Sequence, residues 1–165
     1  MDYSVRKAKS EDLPRIEAIY AYARKFMAET GNPNQWRNNH PPVSQLKEDI
    51  EKGDLYVISD QNEIHGVFYF YIGEDPTYLK MDGGWWRSNT PYGTIHRIAG
   101  DGSGGILSTA VAFGKTRIDH IRIDTHEDNI VMQKAVAKQG FQRQGIIYIA
   151  DGSPRIAYDY LEEIK

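Results

Sequence analysis

The residues best suited to chemistry lie between Tyr92 and Asn129, and their centre is the run Gly100-Asp101-Gly102-Ser103-Gly104-Gly105. Four glycines in six residues let backbone N–H groups approach a ligand with no Cβ in the way. The apolar pattern that begins at Ile106 reads as a helix, whose unpaired N–H groups and positive dipole end point at the same spot. Together they have the construction of a phosphate or pyrophosphate cradle. His96 stands on the apolar strand before this turn and His126 just past the strand after it, two side chains able to exchange a proton near neutrality. Because strand side chains alternate, His96 is either a base at a site or a hydrogen-bonded core histidine, and His126 either a second base or the partner in a turn hydrogen bond. His40, His65 and His120 read as surface or structural. Asp124, His126, Glu127 and Asp128 form an acidic cluster, but acids at a helix start serve the dipole, so no metal is expected there.

Spacing separates the kinds of glycine turn. Gly100, Gly102 and Gly105 satisfy G-x-G-x-x-G, and Asp124 ends the next strand about where a dinucleotide fold holds a ribose. That fold needs βαβαβ around the turn, whereas three strands precede this unit and one helix and a terminal hairpin follow it. A Walker reading of Gly114-Lys115-Thr116 fails: Thr109 stands where the first glycine should be, and the lysine falls in the last helical turn, as a dipole partner.

The elements that must position these residues read off the periodicity. Tyr3 to Ala8 alternates as a strand, and Ser10-Glu11-Asp12-Leu13-Pro14 carries the signals of a helix start. Leu13, Ile16, Ile19, Tyr20, Ala23, Phe26 and Met27 then recur at helical spacing until Gly31, predicting one buried stripe. A loop from Gly31 to Pro42 carries Trp36, and Ser44 to Lys52 predicts a second helix stopped by Gly53. Asp54–Asp60 and Glu63–Gly73 form a hairpin through Asp60-Gln61-Asn62, and an irregular stretch from Tyr78 to Pro91 carries Trp85 and Trp86. After the glycine turn, Ile106, Leu107, Ala110, Val111 and Phe113 mark a helix face, and His120–Thr125 a strand. Asp128 or Asn129 caps a helix with apolar positions Ile130, Met132, Ala135 and Val136. Phe141–Ala150 and Arg155–Leu161 then close a hairpin. The order is βααβββαβαββ, an α/β (α+β) chain with a mixed sheet.

Composition narrows the classes. At 165 residues and 40% hydrophobic, the chain suits one domain over residues 1–165. A net charge of −3 supplies no footprint for nucleic acid or an anionic membrane. Zero cysteines exclude disulfides and thiolate nucleophiles. No apolar run reaches the ~18 residues of a membrane span, and Met1-Asp2-Tyr3 does not open a signal peptide, so a cytoplasmic location is expected.

That element order, the glycine turn after the fourth strand, Asp124-Thr125-His126-Glu127-Asp128-Asn129 and Lys138-Gln139-Gly140-Phe141 together resemble the GNAT superfamily of acyl-CoA-dependent N-acetyltransferases. The resemblance covers nearly the whole chain and implies a three-layer fold with helices flanking the sheet. In that family the pattern (Arg/Gln)-x-x-Gly-x-(Gly/Ala) holds the coenzyme A pyrophosphate, and an Asn opens the helix after the fifth strand. One register places Gly102 and Gly104 on the small positions with Ala99 on the Arg/Gln. The other places Gly105 and Leu107 there with Gly102 on the Arg/Gln, and neither supplies the basic or amide residue. The tyrosine that often protonates the departing thiolate falls at Val136, and eleven tyrosines leave that role open.

The resemblance implies acetyl-CoA as donor and Ile98, Ala99, Gly100, Gly102, Ser103, Gly104, Gly105, Ile106 and Asn129 as its contacts. Backbone N–H groups near Ile98 and Ala99 would polarise the thioester carbonyl, as oxyanion donors do. His96 and then His126 are the candidate bases, and Trp36, Trp85 and Trp86 the candidate walls of an acceptor pocket. The acceptor is the primary amine of a small molecule or a peptide, with no metal and no covalent enzyme intermediate. Two readings stand beside it: a non-catalytic acyl-CoA-binding regulatory module, and a dinucleotide-binding protein. The terminal hairpin suggests a homodimer by strand pairing.

Overall fold

The computed structural model describes residues 2–37 and 40–162. A 3-10 turn, Ser10–Asp12, leads into α1 (Leu13–Glu29), which opens with Pro14 and buries Ile16, Ile19, Tyr20 and Ala23. Phe26, expected in that stripe, is 42% exposed. The covered face continues from Ala23 to Met27 and rotates away from Phe26, as side chains at i and i+4 share a face. Helix α2 (Val43–Lys52) ends at Gly53, whose φ of 75° is the left-handed cap that glycine takes at least cost.

The strands are β1 (Ser4–Lys7), β2 (Leu55–Ser59), β3 (Ile64–Ile72), β4 (Gly93–Gly100), β5 (His120–Thr125), β6 (Gln142–Tyr148) and β7 (Pro154–Leu161). They form one seven-stranded sheet in the order β1-β2-β3-β4-β5-β7-β6, antiparallel except between β4 and β5. Helices α3 (Ile106–Lys115) and α4 (Ile130–Lys138) complete the order βααβββαβαββ. The sequence of elements is the expected one, and the dinucleotide reading fails on it, because β4-α3-β5 has no further parallel unit to pair with.

Three layers result. On one face Phe68, Phe70, Ile95, Ile98, Ile121 and Ile123 pack against Ile106, Ala110 and Val111 of α3 and Val136 of α4. On the other, Val57, Val67 and Ala99 pack against α1 and α2. Further along that second face, Tyr78, Met81, Trp86 and Tyr92 of the segment joining β3 to β4 cover Ile147 and Ala157. Of the apolar positions predicted in α4 only Val136 is buried, and Ile130 is 50% exposed: the first turn lies beside a cleft, into which Met132 points, rather than on the sheet. Among the described residues no helix is long and apolar enough to cross a membrane.

Two irregularities in β4 shape the site. Its pairing with β5 covers only Gly93↔Ile121 and Thr94↔Arg122, after which the two strands part. Its pairing with β3 slips, so that Arg97 and Ile98 together oppose Phe68, a β-bulge. Arg97 adopts φ of 51°, a left-handed conformation costly for a side chain of its size. Three contacts hold it there. Its guanidinium pairs with the buried Asp49 of α2 at 2.9 Å and lies 4.5 Å over the Tyr69 ring, while its carbonyl accepts from the Tyr20 hydroxyl at 2.6 Å.

Candidate active site

Where β4 and β5 part, a cleft of about 690 Å³ crosses the sheet. Its lining draws on both faces: Ile95, Ile98, Ile123 and Met132 from the α3/α4 side, and Tyr69, His96, Arg97 and Asp124 from the α1/α2 side. A passage of this kind lets two reactants meet in the gap from opposite faces.

His96 occupies that gap, as strand position alone allowed. Its Nε2 lies 2.7 Å from Asp75 Oδ2 and its Nδ1 3.5 Å from Asp124 Oδ1. Asp75 is braced by the amide and hydroxyl of Thr77, at 2.9 and 2.6 Å. Burial opposes its ionisation, but hydrogen bonds from His96 and Thr77 prevail and hold its carboxyl down to about 2. An ionised Asp75 can only accept, so the proton of a neutral His96 sits on Nε2 and Nδ1 keeps its lone pair. Asp124 in turn accepts a hydrogen bond of 2.6 Å from the Tyr78 hydroxyl, whose own ionisation burial and the neighbouring carboxylate push far upward, so it stays a donor. The arrangement is an imidazole with one carboxylate fixing its tautomer and a second facing its other nitrogen.

His126, the second candidate, stands outside the cleft lining. Its Nδ1 accepts from the Asp128 amide at 3.0 Å, and its carbonyl from the Gln133 side chain. This is the turn hydrogen bond, and it leaves the Nδ1 lone pair engaged. Asn129 caps α4: its Oδ1 accepts from the Met132 amide at 3.0 Å, and its Nδ2 donates to Gln35 of the α1–α2 loop. Asn129 also lines the cleft, as does Trp36. Trp85 and Trp86 do not. Trp86 is buried, with its indole donating to the Tyr78 carbonyl and the Arg122 guanidinium 4.0 Å over its ring, and Trp85 is 65% exposed. One closes the core beneath the segment, and the other faces solvent.

The glycine turn joins β4 to α3, which starts with no side-chain cap. Gly102, Gly104 and Gly105 have φ of 92°, 84° and 73°. A Cβ on Gly104 would meet open space, so glycine is required there by backbone conformation rather than by a near neighbour. Gly100 is different: a Cβ there would come 2.8 Å from Ile106, whose side chain packs in the core. Ile98 lines the cleft, and Ala99 lies in the opposite core. Ser103 is committed internally, its amide donating to Asp101 at 3.0 Å and its hydroxyl lying 3.1 Å from His65.

Sequence reasoning missed what holds this turn. His65 lies between Asp60 and Asp101, at 2.7 and 2.8 Å, and Arg15 donates to Asp101 at 2.9 Å. The bonds to Asp101 and Asp60 push the His65 pKa up. It also missed Asp75 and Arg155. An Asp-Pro-Thr run signals a local cap at Asp75, and an arginine beside Ile156 and Ala157 in a largely apolar strand signals an inward charge at Arg155, but neither names the partner across the fold.

No protein-family model matches the chain, and no curated relative does. Among solved structures, an acetyltransferase of the GNAT family from Streptococcus agalactiae superposes with a TM-score of 0.86 at 27% identity, over 98% of this chain and 96% of that one. GNAT-family acetyltransferases from Listeria monocytogenes (TM-score 0.70, 17% identity, 97% and 95% covered) and Bacillus cereus (0.63, 20%, 99% and 100%) share the fold. In the order of elements, the parted fourth and fifth strands and this end-to-end likeness, the chain has the fold of the GNAT superfamily, and the likeness to its acetyltransferases supports an acyltransferase.

Proposed function

We propose that the chain transfers an acetyl group from acetyl-CoA to the primary amine of a small molecule or peptide, by direct attack in a ternary complex. The observation that carries this is the cleft through the sheet, with an apolar wall on the α3/α4 side and His96 in the gap. The residues present fit a coenzyme A thioester. The uncapped start of α3 and the positive-φ glycines before it offer backbone donors to a pyrophosphate. Thr125 lines the cleft, and among the described residues its buried Oγ1 has no hydrogen-bond partner, a polar group that a bound amide of the pantetheine arm would satisfy after a rotamer change.

Bound acetyl-CoA would supply the thioester carbon that the amine attacks. His96 Nδ1 would take the amine proton, directly or through one water, while Asp75 keeps the ring in the required tautomer and Asp124 faces the proton taken up. The bulge at Arg97 and Ile98 would release a backbone N–H from the ladder for the thioester carbonyl, held in place by Tyr20 and Asp49. Val136 carries no proton, so the leaving thiolate takes one from another donor; Tyr69 lines the cleft with its hydroxyl pushed up to about 12 by burial and remains protonated.

Calorimetric titration of acetyl-CoA, followed by thiol release across a panel of amines, tests the reading. Coenzyme A should raise the melting temperature and NAD should not. Absence of heat on adding acetyl-CoA would sink it.

A further inference from the structure

The cleft holds a buried cation that the transfer reaction does not use. Arg155 is 6% exposed and lines the cleft, yet among the described residues it makes no ion pair. Its guanidinium donates to the carbonyl of Pro154 at 2.8 Å and, at 3.5 Å, to that of Gln35. Of the other arginines lining the cleft, Arg97 is neutralised by Asp49 and Arg37 is exposed. Carbonyls answer some of the donors of Arg155 but none of its charge, and buried charges in proteins are ordinarily matched. Burial pulls its pKa down, and the carboxylates of Asp124 and Asp151 act against that.

Its position is informative. Asp124 pairs with Ala157 and Thr125 with Ile156, so Arg155 lies two residues beyond Ala157, on the same face as Asp124. That offset is about 7 Å along the strand. One end of the acceptor side therefore presents His96 with Asp75 and Asp124, which suit an amine, and the other a guanidinium fork, which suits a planar oxyanion.

We propose that Arg155 binds a carboxylate of the acceptor, so that the amine substrate is a small molecule carrying both groups, as an amino acid does. This rests on the acetyl-transfer reading above and narrows its acceptor. The experiment pairs each of a panel of amino acids with its own carboxamide and measures thiol release from acetyl-CoA, with acetyl-CoA binding followed separately by calorimetry. The wild-type protein should prefer the acids at least about tenfold in kcat/KM, the scale of a hydrogen-bonded charge pair. Arg155→Gln should bring that ratio close to one, and Arg155→Lys, keeping charge without the fork, should retain part of it. Because an unpaired buried charge is removed, Arg155→Gln should melt no lower than wild type. Carboxamides used as well as acids, or no reaction with any acid, would overturn the proposal. So would loss of acid and carboxamide turnover in equal proportion in Arg155→Gln, with a lowered melting temperature. Should that variant fail to fold, the wild-type ratio and Arg155→Lys decide. Acetyl-CoA that binds while the acids fail refutes only the carboxylate; acetyl-CoA that does not bind refutes the reading beneath it.

Discussion

The two sides of the cleft are built by different means. On the α3/α4 side the useful groups are backbone, namely the parted strands between aliphatic walls and, outside the cleft lining at the β4–α3 turn, the positive-φ glycines and the uncapped helix start. On the α1/α2 side they are side chains from separated parts of the chain: Asp75, His96, Asp124 and Arg155. Backbone recognition suits a donor whose shape is constant. Side-chain recognition suits an acceptor that must be discriminated from others and a proton that must be moved.

The largest expected effect breaks the second side. His96→Ala should lower kcat about a hundredfold or more, the scale of general acid–base catalysis. An Ala variant that keeps most of its kcat would remove His96 from the mechanism. Next comes the first side. Gly105→Val forces a β-branched residue into φ of 73° and should weaken coenzyme A binding about tenfold, through misplaced backbone donors. Calorimetry with unchanged affinity would show that the turn does not hold the pyrophosphate.

Asn129 joins the two sides, which makes it a finer test. Asn129→Ala should cost about 1 kcal/mol of stability by loss of the cap, and Asn129→Asp should recover most of it, since Oδ1 is the capping atom. Only the alanine and aspartate variants together separate that cap from the bond to Gln35. A raised KM for acetyl-CoA in both variants would mark Nδ2 as a donor-side contact.

The smallest effect concerns the support of the glycine turn. The folded-state pKa of His65 is raised, so its contribution to stability is complete below the unfolded value of about 6.5 and fades as pH rises through the folded one. Melting temperature should therefore drift down as pH climbs above the ordinary histidine range, and His65→Gln should flatten that drift. A drift of the opposite sign would mean that Asp60 and Asp101 do not favour the charged ring.

The same contrast governs what the sequence made legible. The glycine turn, the cap at Asn129 and the order of elements are local patterns, and all were readable at their positions. His96, the proposed base, was readable by type and strand, but its partner Asp75 lies in an irregular stretch and meets it only after the chain has folded back. Nothing in the neighbours of Arg97 announces a left-handed arginine, because the conformation is imposed by Tyr20 and Asp49 from two helices. Trp85 and Trp86 stand outside the cleft lining: a type suited to a pocket says nothing of which way an irregular segment turns.

The segment joining β3 to β4 does one thing more. At Ile146, on the outer strand β6, both backbone groups are taken by Asp82, at 2.9 and 2.8 Å, and Tyr148 beside it donates to the Asp82 carboxylate. A sheet end stitched in this way offers no continuous row of free amides and carbonyls to a neighbouring chain. Self-association through the terminal hairpin, the route suggested by the sequence, would first have to peel that stitch away. Asp82 and Gly84, whose backbone runs close against Gln144, thus close the edge, while Asp75 and Tyr78 earlier in the same segment reach inward to His96 and Asp124.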